Sequence, residues 1–402
     1  MPTASSELNA ALYNVTQAIE DRLGDLTWAG FQVGDEVQQG FLNFFFDVAT
    51  LQAFRPQYIN RLGSNIAERT TDALRVLVPG EPQRLAIQEF QNNYEVYNLV
   101  KHVHDTLQEP QGKFELAPLL TRAYALGQYP DLWAVEGLGH DYAAAFGGPQ
   151  QPTGMLLEAN TGEIPVKALT MLHAGIGLAF AEQLMKTITP YSTPGEIRRT
   201  LEKFVALCVD NSRPGYTGAA WESLGLVTRT WHSQMVPIVD RQLRRINEGA
   251  RLYFWHGAGR ALYFLPIHFV PGVYSPWLSV ETDAPDELAR RNAIAGLAWA
   301  NTIVNIRQPA ILADLLRRRG SHLVRDDAFI DGVLSVLLMA GDITPGDLYI
   351  AEFCRYQPPH SVEDLWQRTA GLACKYVNCC YNGNLEEIFR YQPFEELSAK
   401  LC

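Results

Sequence analysis

Tyr253-Phe254-Trp255-His256-Gly257-Ala258-Gly259-Arg260-Ala261-Leu262-Tyr263-Phe264 is the stretch on which the reading of the fold turns. An aromatic run leads into a polar residue, then Gly-Ala-Gly, an arginine and an apolar segment of helical character. The device recurs as Glu136-Gly137-Leu138-Gly139, as Ala174-Gly175-Ile176-Gly177 behind His173, and as Glu222-Ser223-Leu224-Gly225. Weaker copies are Ala293-Ile294-Ala295-Gly296, Asp331-Gly332-Val333-Leu334 and Ala370-Gly371-Leu372-Ala373. The copies start 34 to 48 residues apart, a period that fits a two-helix unit.

Strand signals are sparse. No alternation is sustained, and Asn382-Gly383 lies between helical patterns, where it reads as a turn. The expected fold is therefore all-α, an array of two-helix units that curves into a superhelix or closes into an α/α toroid. Upstream, apolar positions three and four apart predict helices over 7–23, around Gly40–Phe46, and over 64–77, 83–108 and 116–126. Loops are expected at 147–165, 189–195 and 266–286. This gives an N-terminal helical region, 1–130, and a repeat region, 131–402. No linker divides them, so one continuous domain is expected.

Composition excludes several classes. Of 402 residues, 47% are hydrophobic and 19% charged, enough for a large core. A net charge of −11 repels phosphate backbones, so no nucleic-acid partner is expected. The one dense basic run, Leu316-Arg317-Arg318-Arg319-Gly320, reads as a helix end. The first residues lack the basic and apolar regions of a leader. The longest apolar candidate, 261–278, is broken by Pro266, Pro271 and Pro276, so no integral membrane segment is expected and the protein reads as cytoplasmic. Cys354, Cys374, Cys379 and Cys380 form no Cys-x-x-Cys pair and are read as reduced thiols. His102 and His104, two apart on a helix, point away from each other. The dipeptides His104-Asp105 and His140-Asp141 suggest a metal-dependent hydrolase only weakly. No metal is assigned, and the cofactor is unknown.

Glycine inside a helix costs about 1 kcal/mol relative to alanine. Repeating it at one point implies a return, either close helix approach or backbone N–H groups offered to a ligand at a helix start. Equivalent positions of successive repeats lie on one face. The residues before the glycines, Glu136, Glu222, His256 and Asp331, should therefore share a rim with His173 one residue out of register. His140 and Arg260 sit one turn on. Acids also suit the first turn of a helix, whereas histidine does not. The expected site has His256, Glu222 and Glu136 as acid–base groups and His173, Arg260, His140, Trp255 and Tyr263 holding substrate.

At these motifs the chain resembles the domain-of-unknown-function family encoded in enediyne antibiotic gene clusters and many other bacterial genomes. The similarity rests on His173-Ala174-Gly175-Ile176-Gly177, Glu222-Ser223-Leu224-Gly225, Gly257-Ala258-Gly259-Arg260-Ala261-Leu262-Tyr263-Phe264 and Gly296-Leu297-Ala298, in that order, with Gly30-Phe31 and Phe41–Phe46 upstream. Ser223 and Ile294 stand where that pattern has glycine. The resemblance implies bacterial secondary metabolism and carries over no catalytic residue. The function expected is binding or transforming an apolar polyketide- or polyene-like intermediate by isomerisation or cyclisation. The alternatives are a non-catalytic helical scaffold for a protein partner, and the metal-dependent hydrolase.

Overall fold

A computed structural model describes residues 81–107, 115–145, 153–161, 164–264, 276–344, 346–377, 383 and 385–401. The fold is all-α, with no strand among the described residues. Among the described residues ten helices have eleven or more residues. They are α1 (Glu81–Lys101), α2 (Gln128–Ala145), α3 (Val166–Met185), α4 (Pro194–Asn211), α5 (Thr217–Trp231), α6 (Val236–Ile246), α7 (Glu248–Phe264), α8 (Glu287–Val304), α9 (Pro309–Leu323) and α10 (Ala328–Ile343). The helices expected over 7–23, 40–46 and 64–77 and the Gly30-Phe31 motif lie outside the described residues, as do Cys379 and Cys380.

The glycine motifs fall in the middle of α2, α3, α5, α7 and α8 and near the start of α10, and these six helices pack side by side in chain order. The contact is made at the glycines. A Cβ on Gly175 would overlap the carbonyl oxygen of Glu136, one on Gly257 that of Glu222, one on Gly296 that of His256 and one on Gly332 that of Ala295. At the matching place in α5, Ser223 donates its hydroxyl to the Ala174 carbonyl at 2.9 Å. A side chain there is tolerated because it makes a bond. The second glycine of a pair faces the next helix: Gly139 meets Leu172, Gly177 meets Ala220, Gly225 meets Phe254 and Gly259 meets Ala293. Close approach, rather than an exposed helix start, is thus what the glycines provide.

These contacts correct one alignment. Gly296 packs backward onto His256, as first glycines do, so the copy in α8 is Ala295-Gly296-Leu297-Ala298, two residues later than the sequence alignment placed it. The copy at Ala370 is not part of the series. Gly371 lies in a five-residue helix and approaches only its neighbours Trp366 and Gln367.

Helix α1 packs on α2, α8 and α9, so residues 81–101 share the core of the later helices. The C-terminal stretch 385–401 lies across α5, α7, α8 and α10. Glu386 donates its N–H to the Gly215 carbonyl, and Tyr391 donates its N–H to Asn292 Oδ1.

Other expectations need amending. Helix Pro276–Asp283 lies within the segment read as a loop, and Glu158–Thr161 within another. One described helix, α3, is long and apolar enough to cross a membrane, with 83% of its most apolar window buried inside the protein. Residues 265–275 of the segment 261–278 lie outside the described residues. Cys354 and Cys374 are joined as a disulfide, against the expectation of reduced thiols. The basic run lies inside α9 rather than at its end, which comes at Leu323, and Arg317 and Arg318 are both paired to Asp314.

Candidate functional site

Three of the glycine helices deliver ionisable side chains to one interior point. Arg260 of α7 donates from Nη2 to both oxygens of Glu136 on α2, at 2.8 and 3.1 Å, and from Nη1 to Glu222 Oε2 on α5 at 3.2 Å. The other Glu222 oxygen faces His256 Nδ1 at 3.2 Å. All four residues are at most 2% exposed. The glycines explain the convergence. Helix backbones brought into contact at 137, 175, 257 and 296 place the neighbouring side chains within reach across the bundle. Ion pairing then compensates part of a large desolvation cost.

A carboxylate only accepts, so Nδ1 of His256 carries the proton and Nε2 carries the lone pair. Nε2 has no hydrogen-bond partner among the described residues, nor has Arg260 Nε or Trp299 Nε1. These atoms surround one indole. The Arg260 guanidinium carbon lies 4.7 Å from the centre of the Trp299 ring, and the His256 ring is edge-on to it at 6.3 Å. Phe389 closes the group, 5.7 Å from Trp299 and 6.4 Å from His256. Burial holds the His256 pKa below its ordinary value, against the pull of Glu222, so the imidazole is neutral. Burial raises the Glu136 pKa, with Arg260 opposing.

The remaining expected residues lie elsewhere. His140, one turn beyond Glu136, faces Asp141 at 3.1 Å and Glu182 at 3.2 Å. The Lys101 ammonium also pairs with Glu182 and supplies the cation that a metal would have brought. His173 is a structural histidine. Its Nδ1 donates to the Leu169 carbonyl at 2.6 Å, its Nε2 accepts from the Arg213 N–H at 3.0 Å, and it stacks on Tyr216. Burial lowers its pKa to about 4. Trp255 points away from His256, because adjacent helix residues diverge by about 100°. Its Nε1 donates to Asp240 Oδ1 at 2.7 Å, in a network with Arg251 and Asp286. Tyr263 donates to Glu89 at 3.0 Å and accepts from Asn305 at 2.6 Å, a separate polar cluster against α1. Asp331, buried on α10, has its pKa raised well above the carboxylate range by burial. It lies by the Gln392 backbone rather than Arg260.

Sequence reasoning missed Trp299 and Phe389. With the α8 copy in its observed register, Trp299 is the fourth residue beyond Ala295, the position that His140 and Arg260 occupy in their helices. The two-residue misalignment hid it. Phe389 lies outside the glycine series and has no periodic signal.

Among the described residues no group of three or more His, Cys, Asp or Glu side chains is arranged to hold a metal. Comparison with known proteins adds no assignment: no family model matches the chain, and no curated protein or solved structure is significantly similar to it.

Proposed function

We propose that this protein binds an apolar polyketide- or polyene-like intermediate of bacterial secondary metabolism and moves a proton within it, an isomerisation or a cyclisation. The observation that carries the reading is His256 Nε2, an unpaired basic nitrogen in an aromatic interior, on an imidazole oriented by Glu222. That is the arrangement of a general base with its positioning carboxylate. Arg260 and Glu136 fix Glu222 in turn. The surrounding rings suit an apolar ligand, whose body would take the place of the Phe389 side chain. The motif resemblance supports the metabolic setting. A scaffold for a protein partner would have no use for a free imidazole nitrogen at the centre of the bundle, and the Lys101–Glu182 pair argues against a metal at His140.

Native mass spectrometry of the protein from its own cells, followed by denaturing release, tests this. The expected result is one apolar small molecule per chain. His256→Gln should retain the unconverted isomer, with turnover reduced roughly 10²–10⁴-fold. A ligand-free protein that co-purifies with another polypeptide would overturn the reading in favour of the scaffold.

A further inference from the structure

The three unpaired nitrogens differ in kind. Arg260 Nε and Trp299 Nε1 are donors only, and His256 Nε2 is an acceptor in the tautomer that Glu222 imposes. Two buried donors without acceptors are costly, and native interiors pair such groups with protein, water or ligand. The two groups are in contact, with the guanidinium carbon over the indole and 4.7 Å from its centre. What they lack is an oxygen.

Charge decides which oxygen. The cluster holds one guanidinium against the carboxyls of Glu136 and Glu222, with a neutral imidazole. A ligand carboxylate or phosphate would add negative charge to a site that already has two carboxyls for one cation, in surroundings of low dielectric. A neutral acceptor fits without that cost. We infer that the ligand's reacting group is a carbonyl, a ketone or enone set in an otherwise apolar molecule. Its oxygen is held between Arg260 Nε and Trp299 Nε1, with the carbon bearing the labile hydrogen toward His256 Nε2. This names the substrate class for the proton transfer proposed above and rests on that reading.

The step balances without a cofactor. His256 Nε2 takes a proton from the carbon adjacent to the carbonyl. The C–H pair becomes the carbon–carbon double bond of an enolate, and the C=O π pair moves to oxygen. The two N–H donors stabilise the charge that develops there, as in an oxyanion hole. Where the adjacent carbon lies between the carbonyl and a β,γ double bond, the imidazolium, beside Glu222, returns the proton to the γ carbon. The C=O re-forms, the enolate pair moves to the α,β position, the β,γ pair takes the proton, and the conjugated isomer is left.

The test compares two probes on the full chain: a long-chain conjugated dienone, and the hydrocarbon with the same carbon skeleton and a methylene in place of the carbonyl. Binding is read by equilibrium dialysis, which needs no residue of the site as reporter. The dienone should bind about tenfold or more tightly than the hydrocarbon. Trp299→Phe keeps the ring and removes the N–H. It should reduce the preference for the dienone over the hydrocarbon severalfold. In D₂O the wild type should incorporate deuterium next to the carbonyl, and His256→Gln should not. Equal binding of both probes by the wild type would overturn the carbonyl inference and leave the apolar site standing. Binding of neither would overturn the underlying reading as well.

Discussion

His256 and His173 begin from the same amino acid and end with opposite roles, for reasons of partner rather than position. Both are fully buried and neutral. His173 spends both ring nitrogens on backbone groups, whereas His256 spends one on Glu222 and keeps the other. The burial of His173 has a consequence for acid stability. Its pKa falls from 6.5 to about 4 on folding, so between those values the unfolded chain binds a proton that the native chain refuses. Stability is therefore expected to fall as pH drops from 6.5 to about 4, by about 3 kcal/mol from this group. Urea titrations at pH 7 and pH 4 check this. In His173→Gln the part of the fall due to this group should vanish, at the expense of stability at pH 7. Residue roles were half legible in the sequence. The buried cluster of Glu136, Glu222, His256 and Arg260 was readable because each residue sits at a fixed offset from a glycine. Trp255 and His173 were misplaced because nearness in sequence to the motif is not nearness on the helix face.

A glycine at the crossing of two helices acts on the whole element, because it sets the distance between two backbones. Gly259→Ala drives a methyl into the Ala293 carbonyl, and neither backbone has room to give. A loss of about 3 kcal/mol is expected. Gly341→Ala, also within a helix but with nothing within 4 Å of the added Cβ, should stabilise by up to about 1 kcal/mol. Thermal melts of the pair check the contrast, and equal shifts would mean that the glycines are not contact points. The all-α class was legible from the spacing of the motifs and the lack of alternation. The register of the α8 copy was not, because Ala295-Gly296-Leu297-Ala298 replaces the second glycine with alanine and leaves Gly296 ambiguous between the two positions. Only its contact with the His256 carbonyl resolves which neighbour it faces.

At the scale of the whole molecule, the site is a product of exclusion. Helices α2, α5, α7 and α8, closed over by the stretch around Phe389, keep water from four ionisable side chains. That stretch is held by hydrogen bonds to Gly215, Gly218, Asn292, Arg291 and Asp327, and the side chain it sets against His256 and Trp299 is the Phe389 ring. Phe389→Ala should therefore raise uptake of an apolar probe severalfold, read by the same equilibrium dialysis. No change would place ligand entry elsewhere. The C-terminal part was the least legible, since its contacts join residues far apart in sequence and its cysteines, read as thiols, supply a disulfide instead.

The protonation state of His256 reports this enclosure directly, because water entering the interior would let the ring charge. Nitrogen-15 NMR of histidine-labelled protein, assigned through His256→Gln, reads it. A neutral ring at pH 7, protonated at Nδ1 and with Nε2 bare, is expected. A charged ring at that pH, or a neutral ring carrying its proton on Nε2, would contradict it.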